Sequence, residues 1–147
     1  MEVIIIYDNK NSFMDLLYLA DESEEMIAKY LDRGTLFALY DGGLKSVCVV
    51  TEESGSVFEI QNLATCPDSR NKGYGRYLIN YVCRFYQGKG GTMLVGTSDV
   101  PHSVSFYEKS GFTFSHRIEN YITDHYDTPQ YEDGILITDK IYLKRAL

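Results

Sequence analysis

The chain has no apolar run near the roughly 18 residues that a membrane-crossing helix takes, and Met1-Glu2 lacks the basic start of a secretory signal. Its cysteines, Cys48, Cys66 and Cys83, are odd in number and far apart, with no C-x-x-C pair. Neither a disulfide framework nor a zinc site is expected from them. His102, His116 and His125 are scattered at no ligand spacing, so no metal is predicted. Positive charge is scarce: 14 Lys and Arg against 21 Asp and Glu give a formal net charge of −7. That balance excludes an extended basic face for a nucleic-acid backbone and suits a cationic partner better. No repeat, linker or low-complexity segment interrupts the 147 residues, and 44% hydrophobic with 24% charged residues is ordinary globular composition. The expectation is one domain over 1–147, cytoplasmic, with no membrane or nucleic-acid partner.

Against this acidic background one stretch reverses sign. Arg70-Asn71-Lys72-Gly73-Tyr74-Gly75-Arg76 joins an apolar run, Val57 to Ala64, to an amphipathic one, Tyr77 to Tyr86. A strand that delivers a glycine-rich turn straight into a helix presents several free N–H groups in one direction, and the positive end of the helix dipole adds to their pull on an anion. The stretch is not a P-loop, which needs G-x-x-x-x-G-K-[ST]. It is not a dinucleotide turn either, since Leu78 stands where the third Gly of G-x-G-x-x-G belongs.

The rest of the chain reads as a mixed α/β order. Val3 to Tyr7 predicts a first strand. Phe13, Leu16, Leu17 and Ala20 recur at helical spacing behind a cap at Ser12, and a second helix from about Ser23 buries Met26, Ile27, Tyr30 and Leu31 before stopping at Gly34. Thr35 to Tyr40 and Leu44 to Thr51 flank Asp41-Gly42-Gly43, a hairpin signal, and a third strand, Ser56 to Thr65, feeds the basic turn. After the amphipathic helix, Gly88-Lys89-Gly90-Gly91 releases the chain into a strand, Thr92 to Thr97, expected to lie parallel to the third. Pro101 opens a short helix that Gly111 closes. Phe112 to Ile118 and Ile135 to Leu143 read as the last two strands.

Two motifs now stand in order on the right elements. Arg70-Asn71-Lys72-Gly73-Tyr74-Gly75 resembles the [Q/R]-x-x-G-x-[G/A] signature of the GNAT superfamily of N-acetyltransferases at every defined position. Ser105-Phe106-Tyr107-Glu108-Lys109-Ser110-Gly111-Phe112 resembles that family's Y-x-K-x-G-F segment. The resemblance implies a GNAT fold: a mixed, mostly antiparallel sheet of six to seven strands, helices on both faces, and a splayed cleft between the fourth and fifth strands. It implies acetyl-CoA as cosubstrate and transfer of acetyl to the primary amine of a small cationic molecule or a peptide, by a monomer or homodimer. The competing class is the same fold holding an acyl-CoA as a sensor or regulatory domain without turnover.

Residue by residue, the family pattern places the coenzyme's pyrophosphate on Arg70, Asn71, Lys72, Gly73, Tyr74, Gly75 and Arg76. It pairs the pantetheine arm with backbone of Leu63, Ala64 and Thr65. Where the family often carries an Asn before the tyrosine helix, this chain has Ser98, Asp99 and Ser103; of these Ser103, with Lys109 further along, is taken as a cofactor contact. Tyr107 matches the position beside the sulfur, where a phenol of pKa near 10 can protonate a thiolate; among thirteen tyrosines it could equally be a core aromatic. An alkyl amine with a pKa near 10.4 must lose a proton before it attacks. Glu59 is the candidate base, or a solvated carboxylate on a half-exposed sheet face. Regular alternation sets Glu59, Gln61 and Leu63 on one face and Phe58, Ile60 and Asn62 on the other. Glu22 and Glu25, from the acid cluster Asp21 to Glu25, form a wall for the amine or else are helix-start carboxylates. Tyr121 and Tyr126, from a stretch rich in tyrosine and carboxylate, close the acceptor side or anchor a solvated loop. Cys66, followed by Pro67, is packing or an acylatable thiol.

Overall fold

The computed structural model describes residues 1–147. Its strands are β1 (Glu2–Ile6), β2 (Thr35–Tyr40), β3 (Leu44–Glu52), β4 (Val57–Thr65), β5 (Thr92–Ser98), β6 (Thr113–Ile118), β7 (Gln130–Glu132), β8 (Ile135–Ile137) and β9 (Lys140–Ala146). The helices are α1 (Met14–Leu17), α2 (Glu24–Leu31), α3 (Tyr74–Tyr86), α4 (Pro101–Lys109) and α5 (Tyr121–His125), with 3-10 turns at Lys10–Phe13 and Pro67–Ser69. No helix is long and apolar enough to cross a membrane.

Seven strands form one sheet in the order β1-β2-β3-β4-β5-β9-β6, and β7 and β8 form a separate hairpin. Every pair in the large sheet is antiparallel except β4 with β5. Helix α3 buries the stripe Leu78, Ile79, Val82, Cys83 and Tyr86 on one face of the sheet, against Phe37, Phe58, Ile60 and Met93. Each fully buried aliphatic side chain there contributes about 1.5–3 kcal/mol. The opposite face is covered by α1 and α2, where Leu16, Leu17, Ile27, Tyr30 and Leu31 pack on Leu36, Val47, Val49 and Ala64. This is the expected GNAT architecture, with helices on both faces of a mostly antiparallel sheet.

The feature that matters for function is a fork. Strands β4 and β5 pair only from Val57–Thr92 to Ile60–Val95. Beyond that point β4 continues along β3 to Thr65 while β5 continues along β9 to Ser98. The separation starts beside a bulge: Val49 pairs with Asn62 and Val50 with Ile60, leaving Gln61 as an extra residue on β4. Such a residue bends its strand and increases its twist. It also corrects the expected alternation. Leu63 packs with Phe58 and Ile60 on the α3 face, whereas Asn62 faces α1 and α2, its Nδ2 donating to Leu17 O at 3.0 Å and to Tyr30 Oη at 3.0 Å.

Two other expectations are revised. The first helix is a 3-10 turn followed by a single α-turn, and Ser12 does not cap it: its hydroxyl donates back to Asn9 O at 2.8 Å. Ser23, by contrast, caps α2 by accepting from Met26 N–H at 3.1 Å. The segment Ile135 to Leu143 is two strands, broken at Thr138-Asp139. Asp139 accepts from Arg117 Nη1 at 2.6 Å and from Asn120 N–H at 2.9 Å, which ties the break to the start of α5. Strand β9 then enters the sheet between β5 and β6.

Candidate active site

A cavity of about 1,100 Å³ runs from the basic turn, through the fork, to the far face of the sheet. That is large enough for an extended cofactor arm and an acceptor together. At one end Arg70, Arg76 and Lys109 line it; at the other stand Asp21, Glu22, Glu59, Glu132 and Asp133, together with Lys29, Arg33 and Lys140.

The cationic end is built by the start of α3. Gly73 sits at φ 87°, in the left-handed region, and space is open where its Cβ would be. The first bond of the helix runs from Tyr77 N–H to Gly73 O at 3.0 Å. The N–H groups of Tyr74, Gly75 and Arg76 therefore have no partner within the helix, and no side chain caps it. The side chains of this turn do other work. Tyr74 Oη donates to Asp41 Oδ2 at 2.8 Å, fastening the turn to the β2–β3 hairpin. Arg76 Nη2 donates to Lys109 O at 2.6 Å, closing the end of α4. Asn71, at φ 61°, and Arg70 line the cavity, whereas Lys72 is exposed outside it.

At the fork, Leu63, Ala64 and Thr65 line the cavity along the edge of β4 that β5 has left unpaired. Tyr107 faces them from α4, which starts at Pro101 and ends where Phe112 N–H donates to Tyr107 O at 3.0 Å. Its ring meets Phe106 and Phe112 edge-on, at 5.1 and 5.9 Å between centroids. Burial, with Cys48 and Glu132 adding to it, pushes the Tyr107 hydroxyl well above the usual phenol range, so it carries its proton at neutral pH. Ser103 lines the cavity with its proton committed: its hydroxyl, like that of Ser98, donates to Glu132 Oε2, at 2.8 Å from Ser103, and keeps its oxygen as an acceptor. These two bonds hold the β7–β8 hairpin against the end of β5 and the start of α4.

The acidic half of the cavity lies on the α1–α2 side. Glu59 is 8% exposed, and its carboxyl is raised above the ordinary carboxylate range, first by burial and then by Glu53, against the pull of Lys140 and Arg33. It is therefore not a solvated surface carboxylate. Asp21 gathers a clasp around itself: Tyr126 Oη donates to Oδ1 at 2.9 Å, Ser23 N–H to Oδ1 at 3.1 Å, and Tyr30 Oη to Oδ2 at 3.2 Å. Tyr126 thus lines the cavity while tying α5 to the loop before α2. Tyr121 lines it too, but the cation over its ring is the protein's own Lys140, with Nζ 4.6 Å from the centroid. Glu22 faces the cavity. Glu25, exposed in the first turn of α2, is not among its lining residues and is placed as a helix-start carboxylate. Cys66 also stays out of the cavity lining, its thiol donating to Leu44 O at 3.3 Å.

Several residues of the site carried no motif. Asn62, 4% exposed and with its Oδ1 buried and unpartnered, had one available signal, an amide inside an otherwise apolar strand. Asp21 belonged to a recognised acid cluster. Glu132 belonged to the stretch rich in tyrosine and carboxylate, whereas Lys140 reaches the cavity only through the placement of β9, and nothing local marks it.

The chain's relatives agree with this geometry. A family model described as the acetyltransferase (GNAT) family matches residues 6–112. Among curated proteins, an uncharacterized N-acetyltransferase of Bacillus subtilis (strain 168), YvbK, is 30% identical over 139 residues, spanning 92% of this chain and 90% of that one. Among solved structures, a GNAT family acetyltransferase from Elizabethkingia anophelis with acetyl-CoA bound superposes with a TM-score of 0.93 at 29% identity, covering 99% of this chain and 97% of that one. An IAA acetyltransferase from Bacillus cereus gives 0.90 at 31% identity, covering 99% and 100%. The family match begins at the end of β1 and stops just past α4, so it contains both the forked strands and the two helices that aim at them, and the chain belongs to the GNAT family of acetyltransferases.

Proposed function

We propose that this protein is an acetyl-CoA-dependent N-acetyltransferase that transfers acetyl directly to a primary amine of a small cationic molecule or a peptide. The observation that carries the reading is the single cavity joining an anion-ready helix start to a buried carboxylate through an open fork in the sheet. The fit to the cosubstrate rests on this chain's own features. Three unpartnered N–H groups and an unfilled space beyond Gly73 suit a diphosphate. The unpaired edge of β4 from Gln61 to Thr65 suits an amide-bearing arm laid along it as a further strand. Bound there, acetyl-CoA supplies an activated thioester.

The residues divide the proton work. Glu59 takes a proton from the amine, directly or through water; its raised titration brings it closer to the operating pH, where a general base is most effective. Tyr107 holds a proton for the departing sulfur from the opposite face of the sheet. Glu22 and Asp133 give the acceptor half an acidic rim, and Asp21 with Tyr126 fixes the segment that closes over it. The relative with acetyl-CoA bound supports the choice of cosubstrate.

The test has two stages. Thermal unfolding with acetyl-CoA at a hundredfold excess over its dissociation constant should give about 2.7 kcal/mol of stabilisation, with ATP and NAD giving far less. Release of free thiol is then followed with a panel of polyamines, aminoglycosides and peptides. Binding without thiol release on any amine would make the chain an acyl-CoA sensor, and absence of binding would end the proposal.

A further inference from the structure

One cation in the acceptor half has no part in the steps above. Lys140 opens β9, opposite Ser98 in the β5–β9 ladder. Its side chain runs back past Gly96, one pair beyond the last contact of β5 with β4. A Cβ on Gly96 would lie 2.2 Å from Lys140 Cε and 3.1 Å from Nζ. With any side chain at 96 the lysine chain would have to move off this path, the Tyr142 ring edge standing 3.0 Å from the same Cβ. At its end the ammonium rests 4.6 Å from the centroid of Tyr121 and 4.9 Å from that of Tyr142, within cation–π range of both. The close ion pairs of the chain are all made by arginines.

Glu59 pairs with Leu94, two residues before Gly96 on β5, which sets its side chain on the face of the sheet that Lys140 crosses, and both line the one cavity. The charged and titratable groups that act on Glu59 there are Arg33 after α2, Glu53 after β3, and Lys140 and Tyr142 on β9. Arg33 is committed elsewhere, its Nη1 lying 3.0 Å from Glu53 Oε2. Glu53 opposes ionisation of Glu59. Tyr142, whose hydroxyl is raised by burial and by Glu59 itself, stays neutral and contributes no charge. Lys140 is thus the cation whose field is available to the buried carboxylate.

We propose that Lys140 is a positioning residue for acetyl transfer: threaded past Gly96 and braced by Tyr121 and Tyr142, its ammonium keeps the Glu59 carboxylate ionised and ready to take a proton from the acceptor amine. The role rests on the transferase reading given above; the coupling between the two side chains does not. It also gives the aromatic pair an occupant of the protein's own, so the acceptor amine is met beside Lys140 rather than between those rings.

The test is the titration of the Glu59 side-chain carboxyl carbon by NMR in protein labelled with 13C-glutamate, the resonance being identified by its loss in Glu59→Gln. Lys140→Met should move the midpoint to higher pH, and Lys140→Arg should restore it. Gly96→Ala retains every charge but blocks the path, and should move the midpoint in the same direction as Lys140→Met. With an acceptor in hand, Lys140→Met should lose about threefold or more in kcat/KM at pH 6, with the loss shrinking as pH rises. An unmoved midpoint in Lys140→Met overturns the coupling even if transfer is observed. Where that variant does not fold, an unmoved midpoint in Gly96→Ala overturns it instead. Failure of the wild-type protein to bind acetyl-CoA overturns the catalytic role while leaving a measured coupling in place, so the two failures are distinguishable.

Discussion

Replacing Gly73 with Glu separates the anion-binding turn from the stability of the fold. The backbone there has φ 87°, where a side chain costs about 1–2 kcal/mol. Nothing lies within 4 Å of the new Cβ, so the side chain leaves the backbone without a clash. In a domain of this length, that strain lowers Tm by about 3–6 °C, leaving the protein folded at room temperature. The effect on binding is larger. A carboxylate about 4 Å from one phosphate charge costs about 4 kcal/mol at an effective dielectric of 20, close to a thousandfold in Kd. Acetyl-CoA at a concentration that stabilises the wild type by about 2.7 kcal/mol should therefore leave the Gly73→Glu transition unmoved. Gly73→Ala carries the same strain without the charge and should retain most of the affinity. Calorimetry checks both. Wild-type affinity in a folded Gly73→Glu protein would refute the placement of the diphosphate at the start of α3.

Tyr107→Phe should reduce kcat by about 100-fold with acetyl-CoA binding retained, as read by thiol release; an unchanged kcat would take Tyr107 out of the proton path. Glu59→Gln should depress turnover most between the raised titration of Glu59 and the amine's own pKa near 10.4, since above the latter the acceptor is neutral without help. The same substitution should stabilise the fold at pH 8. A carboxyl whose folded pKa is raised binds its proton more tightly when folded, so stability falls as pH rises from the unfolded value through the folded one, and Gln removes that fall. Urea melts at pH 8 and at about pH 3, where the advantage should vanish, test the sign. Asp21→Ala leaves the hydroxyls of Tyr30 and Tyr126 without their acceptor and should cost about 1–3 kcal/mol, raise the acceptor KM and speed amide exchange over residues 121–126.

The elements that the sequence disclosed are those specified locally. Asp41-Gly42-Gly43 makes a hairpin through its own backbone, with Asp41 N–H donating to Gly43 O at 2.8 Å. The stripe on α3 and the proline and glycine that bound α4 act within a few residues of themselves. The same holds for the turn at Gly73, whose motif occupies six consecutive residues, Arg70 to Gly75. What stayed hidden depends on partners far along the chain. The extra residue at Gln61 exists only relative to the register of β3, and no residue type announces it. The hydrogen bond of Tyr126 to Asp21 spans 105 positions. The commitment of the Ser103 proton stays hidden because the carboxylate that takes it, Glu132, arrives from a hairpin 29 positions along the chain. Glu25 belonged to a real acid cluster, but helical geometry turns it to solvent while Glu22, before the helix begins, reaches the cavity.

The overhang at Gln61 has a consequence for how this architecture can vary. A chain lacking that single amino acid would keep Glu59, Asn62 and Ala64 on the face they now occupy, because removing one unpaired position restores a plain two-residue rhythm. What it would lose is the local bend and added twist that stand where the pairing of β4 with β5 ends, at Ile60 and Val95. One residue of surplus length thus marks the point where the sheet opens, while leaving composition and side-chain orientation almost untouched.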